Sequence, residues 1–152
     1  MYTAALRATR DGAPEEQLVC DSTSTRWVSG SRFVPARSAA FWAAVPRDVQ
    51  AQFDSVNQTA QSLRGLVWPS WVRLLSHPEW KARERRLART GVIDIGSVAV
   101  LSRIAYAPDS TAALVQVARP CNGPCGGATY YWVRRTASGE WVVQAETEAW
   151  TG

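Results

Sequence analysis

The sequence offers little from which a metal site or a histidine-based catalytic apparatus is usually built. It has one histidine, His77, and three cysteines, Cys20, Cys121 and Cys125. A closed zinc site needs four such ligands. All four would have to converge here, and nothing in their spacing requires it, so no metal and no other cofactor is expected. Cys121 and Cys125 follow a C-x3-C spacing, which also lacks the C-x-x-C pattern of dithiol redox catalysts. Lys81 is the only lysine, and arginine carries the rest of the positive charge. A GC-rich genome produces that bias without selection for phosphate binding. No run of about 18 apolar residues occurs, which excludes a transmembrane helix. The opening Met1-Tyr2-Thr3-Ala4-Ala5-Leu6-Arg7 lacks the apolar stretch and cleavage site of a signal peptide. Met1 can equally stand where a leader was cut off. The expected home is extracytoplasmic in that case and cytoplasmic otherwise.

What is present describes a folded chain. Hydrophobic residues make up 46% and charged residues 20%, unlike a disordered polypeptide. A length of 152 residues fits one domain spanning 1–152, with a helical half over about 1–92 and a β half over about 97–150. The eight tryptophans are spread along the chain and are expected mostly in or beside the core. The net charge of +4 is mild and gives only weak pull towards acidic partners.

Tyr2 to Arg10 reads as a short helix ended by Asp11-Gly12-Ala13-Pro14. Gln17-Leu18-Val19-Cys20 reads as a short strand, with Asp21 to Thr25 as its exit. Pro46 suits the first position of a helix, behind which Val49, Phe53, Val56 and Ala60 form an apolar stripe. A second helix is expected from Glu79 to Thr90, with Trp80, Leu87 and Ala88 inward and Gly91 as its stop. Leu63 to Leu75 is apolar but interrupted by Pro69, and no element is assigned to it. From Val98 the period changes to two. Strands are expected over 98–106, 112–119, 129–135 and 141–150, separated by Pro108-Asp109-Ser110, the Cys121 to Gly127 loop, and Ala137-Ser138-Gly139. The expected fold class is therefore α+β: N-terminal helices packed on an antiparallel β-meander of about four strands, with room for one short N-terminal strand. Trp141, Val143 and Ala145 are expected to share the buried face of the last strand.

Several stretches together resemble a group of uncharacterised bacterial domains with a C-terminal meander. They are Ser102-Arg103-Ile104-Ala105-Tyr106, Ala113-Leu114-Val115-Gln116-Val117, the Cys121 to Gly127 loop, Gly139-Glu140-Trp141-Val142-Val143 and Trp150. The Tyr2-Ala5-Leu6 opening, Asp21 with Thr23, and the helix ending in Phe53 and Asn57 are similar too. The resemblance implies a shared fold and, because such domains often follow an export leader, an extracytoplasmic origin. It carries over no catalytic residue. The end departs from the pattern, with Trp150-Thr151-Gly152 in place of Trp-apolar-Ser. In shape alone, helices followed by a meander with Gly-x-Trp before the last strand look like nuclear-transport-factor-2-like cones, and shape does not dictate function.

The candidate chemistry is sparse. A disulfide between Cys121 and Cys125 would clamp the hairpin loop, leaving Cys20 as a buried free thiol. It would close a short loop, so its entropic contribution is modest. Glu146 and Glu148 fall on one face of the last strand with Gln144 and Trp150. Paired carboxylates can do acid–base work when partly buried, but a solvated strand face explains them more simply. His77, beside Pro78, is more simply a helix-start residue than a catalytic base. Lys81, Arg83, Arg85, Arg86 and Arg89 make helix 81–89 basic enough to track phosphates, without any base-reading motif. Asn57-Gln58-Thr59 spells a glycosylation sequon. These residues point first to a non-catalytic binding or interaction domain, with a protein or small-molecule partner favoured over nucleic acid. The alternatives are a small cone-like enzyme using Glu146, and a weak nucleic-acid binder using helix 81–89.

Overall fold

The computed structural model describes residues 1–9, 16–25, 39–91, 97–121 and 126–151. Within them run α1 (Tyr2–Ala8), β1 (Gln17–Cys20), α2 (Ala39–Ala44), α3 (Arg47–Val56), β2 (Val72–Leu75) and α4 (His77–Arg89). β3 (Val98–Leu101), β4 (Ala105–Tyr106), β5 (Ala112–Pro120), β6 (Gly126–Arg135) and β7 (Trp141–Thr151) follow. The seven strands form one mixed sheet ordered β2-β1-β3-β5-β6-β7, with β4 paired to β5.

The α+β class agrees with the sequence; a four-stranded antiparallel meander does not. β5, β6 and β7 do make consecutive antiparallel ladders. Two parallel pairings enlarge the sheet beyond them. β1 lies between β2 and β3 and runs parallel to both, with Leu18 opposite Arg73 on one side and Val98 on the other. β2 falls in the stretch to which the sequence assigns no element, because its four residues are too few to set a period and end in two adjacent leucines, Leu74 and Leu75, that pack on opposite faces.

The strand expected over 98–106 is also broken. Ser102 donates its amide to the Gln116 carbonyl at 3.0 Å, while its hydroxyl accepts the Gln116 amide at 2.8 Å. The hydroxyl thus takes the place of a backbone carbonyl in the ladder. Arg103 turns away instead to Asn57. The Asn57 side chain accepts the Arg103 amide at 2.7 Å and donates to the Arg103 carbonyl at 3.3 Å, standing in for a neighbouring strand. β3 and β4 consequently lie end to end along one edge of β5.

Both faces of the sheet are covered. On one, Phe41 of α2, Val49 and Phe53 of α3 and Trp80 of α4 pack on Val100, Leu114, Tyr130 and Trp132. On the other, Tyr2, Ala5 and Leu6 of α1, spaced so that they share one helix face, pack with Leu63 on Leu101, Val115, Val117 and Val133. β5 sits between the two layers, and this explains why it is apolar on both faces. Seven tryptophans fall among the described residues. Trp80 and Trp132 are buried and the other five are half-buried, as expected; Trp27 lies outside the described residues.

α4 starts earlier than expected because Ser76 caps it. Its hydroxyl accepts the Glu79 amide, and the Glu79 carboxylate accepts the Ser76 amide at 2.7 Å, with Pro78 in the first turn. Trp80 is buried and Leu87 half-buried, but Ala88 is exposed, contrary to its assignment as inward. Pro46 stands at the N-cap of α3, one position before the expected one.

β7 departs from simple alternation. Val133 pairs with Val143 and Trp132 with Ala145, so Gln144 is an extra residue in the ladder. Such a bulge switches the face that follows it. Trp141 and Val143 therefore pack on the α1 side and Ala145 on the other, and Trp141 is half-buried rather than buried.

Candidate functional site

The break between β3 and β4 leaves room beside α1, and the chain from Gln61 to Trp68 fills part of it. That segment is tied to the exit of β1. Thr23 donates its amide to the Gln61 carbonyl, and its hydroxyl accepts the Gln61 amide, both at 2.8 Å. Leu63 donates to the Asp21 carbonyl at 2.7 Å, and the Arg64 guanidinium pairs with the Asp21 carboxylate at 2.6 Å. Leu63 enters the core, which frees the following Leu66, Val67 and Trp68 to form a lip over α1.

Between that lip and β4 lies a groove of about 440 Å³. Its floor is Tyr2, stacked on Trp68 with ring centroids 5.8 Å apart and planes inclined by 23°. Trp68 is held by its indole N–H donating to the Leu63 carbonyl at 3.1 Å. The Tyr2 hydroxyl donates to the Ser102 carbonyl at 2.9 Å, and the phenol is kept neutral. Burial and the neighbouring Tyr106 push its pKa well above the ordinary tyrosine value, against the opposing pull of Arg103. Ile104 and Tyr106 form the opposite wall.

The mouth is unusually apolar. Among the described residues four large hydrophobic side chains are notably exposed, and three of them line this groove: Leu66 at 45%, Val67 at 99% and Tyr106 at 42%. Folding leaves such side chains in water at a cost of hydrophobic burial forgone, so their gathering at one concavity marks a contact surface. Among the described residues Arg103 is the single side-chain charge along the lining. Asn57 fixes its backbone, and its guanidinium donates to the Thr59 hydroxyl at 2.8 Å. Asn57 is 6% exposed and its side-chain nitrogen also donates to the Phe53 carbonyl, so the sequon at 57–59 has no side chain available for a glycan.

Tyr2, Asn57, Ser102 and Arg103 thus belong to one hydrogen-bonded set beside the groove, and Asp21 and Thr23 to a second that anchors the 61–64 segment. The sequence gives their identities but not this meeting. Leu66-Val67-Trp68 beside Pro69 was the available signal, yet an apolar triplet reads as core until the structure shows Leu66 and Val67 exposed.

The residues expected to carry chemistry do not join this groove. Glu146 pairs with Tyr131 and Glu148 with Thr129, so both carboxylates stand on the α1 face. They are exposed along a separate polar groove of about 490 Å³ with Thr9 and Arg119, whose guanidinium donates to the Thr9 hydroxyl at 2.9 Å. Burial lowers the pKa of Arg119. Gln144 and Trp150 do not share the face of Glu146 and Glu148 as expected, because of the bulges that flank them. His77 opens α4 on the opposite side of the sheet, exposed, its ring edge-on to Trp80 with centroids 5.9 Å apart.

Cys20 is a buried free thiol, as expected, with its pKa raised chiefly by burial. Cys121 follows the last residue of β5, and Cys125 lies outside the described residues, so their expected pairing does too. Arg85, Arg86 and Arg89 project from α4 into solvent, while Lys81 pairs with Glu84 at 2.7 Å. Among the described residues no three metal-ligating side chains gather, and no helix is long and apolar enough to cross a membrane. No protein-family model, curated protein or solved structure matches the chain.

Proposed function

We propose that the protein is a non-catalytic binding domain and that its binding surface is the groove between α1, the 61–68 segment and β4. The observation that carries this reading is the concentration of exposed Leu66, Val67 and Tyr106 around the Tyr2–Trp68 stack. A pocket of this volume falls within the range that holds small ligands. Apolar walls with few, fixed polar groups are also the usual character of such sites. The disulfide between Cys121 and Cys125 and an extracytoplasmic home belong to the same proposal. Pro120 pairs with Gly126 across the intervening loop, which brings its two arms together.

Titration with octanamide, a neutral apolar probe, followed by tryptophan fluorescence, tests the groove. Saturable quenching in the parent protein, lost in Val67→Asp, is the expected result. Val67 is 99% exposed, so its replacement should leave thermal stability unchanged. No saturable response in the parent, or equal response in both proteins, rejects the groove as the binding surface.

A further inference from the structure

We propose that the groove selects a monoanionic amphiphile, with a carboxylate bound by Arg103 and an apolar body lying over Tyr2, Leu66, Val67 and Trp68. This rests on the groove being the binding surface. Among the described residues Arg103 is the only charged side chain in the lining, and no aspartate or glutamate joins it there. Among the described residues no carboxylate forms an ion pair with Arg103. Its position is fixed twice. Asn57 holds both backbone polar groups, and Thr59 takes one guanidinium N–H. A fixed guanidinium retains further donors, which suit the planar geometry of a carboxylate.

The charge balance limits the head group. The Met1 α-ammonium also borders the groove, but burial lowers its pKa, so the Arg103 guanidinium is the permanent positive charge there. It neutralises one negative charge, whereas a phosphate monoester would bring a second among side chains that, in the described lining, are otherwise uncharged. The size of the site points to a small molecule. Three exposed hydrophobic side chains around a concavity of about 440 Å³ suit an aliphatic or aromatic body better than the broad face of a protein partner.

Calorimetric titrations with octanoate, octanamide and octyl phosphate, each kept below its aggregation threshold, test the proposal. Octanoate should bind the parent about tenfold or more tighter than octanamide, the size expected of a charge-assisted hydrogen bond. Arg103→Gln should bring the two affinities together, Arg103→Lys should keep most of the difference, and Arg85→Gln on remote α4 should keep all of it. Circular dichroism establishes that each variant is folded. If octanoate and octanamide bind the parent alike, or the preference survives Arg103→Gln, anion selection is rejected and the groove still binds. Tighter binding of octyl phosphate rejects the single-charge argument. If no probe binds, the groove itself is rejected.

Discussion

Replacing Asn57 by alanine removes the side chain that closes the gap between β3 and β4. Three hydrogen bonds are lost: one to the Phe53 carbonyl at 2.8 Å and two to the Arg103 backbone at 2.7 and 3.3 Å. A net hydrogen bond contributes about 0.5–1.5 kcal/mol, and a buried polar group left without a partner costs about 1–3 kcal/mol. The Arg103 groups are only part-buried, so water relieves some of that penalty. The expected loss is about 2–3 kcal/mol, which for a chain of this length lowers Tm by about 4–12 °C. Gln58→Ala is the matched control. Its amide bonds the Asp54 carbonyl at 3.1 Å on the exposed side of the same helix end, and its removal should stay within about 0.5 kcal/mol. Urea denaturation of both variants measures the difference, and amide exchange at Arg103 should accelerate only in Asn57→Ala. If the Asn57→Ala midpoint falls no further than that of Gln58→Ala, the side chain is not the substitute strand described above.

Trp132→Ala should destabilise by about 3–5 kcal/mol, whereas Trp141→Ala, at a half-buried position, should cost about half as much; equal losses in urea would contradict the half-burial of Trp141. Ser76→Ala should cost about 1 kcal/mol by removing the α4 cap. Hydrogen bonds from Ser76 hold Glu79 below its ordinary pKa, so its contribution is present above that value and is lost as pH falls through the lower folded value. An acid titration that leaves the Ser76 amide resonance unmoved across that window would disprove the box. Thiol counting on unreduced, denatured protein should find one reactive group, Cys20, and three after reduction; three without reduction would remove the disulfide and the case for an oxidising compartment.

What could be read from the sequence was local. β1 is legible because four apolar-rich residues sit between turn signals, and the β5–β6–β7 ladders because hairpin spacing forces neighbours to pair. The last turn is marked by Gly139, whose φ of +87° suits glycine. The parallel pairing of β1 with β2 is not legible, since residues 17–20 and 72–75 meet only through the helices between them. The interruption at Ser102 is hidden as well, because the alternation of Val98 to Tyr106 continues across it. Only the tertiary partners, Gln116 and Asn57, show that a hydroxyl and an amide have replaced the ladder there. For the same reason Glu146 and Glu148 could be named as a carboxylate pair while their distance from the groove could not. The sequence likewise names Arg103 inside a strand-like run but does not reveal that it stands at a groove.

Shift mapping on isotope-labelled protein with octanamide tests the central claim most directly. The account predicts perturbations concentrated at Tyr2, Leu66, Val67, Trp68, Ile104 and Tyr106, saturating together with a single affinity. Perturbations centred instead on Glu146, Glu148 and Arg119, or on Arg85, Arg86 and Arg89 of α4, would contradict it.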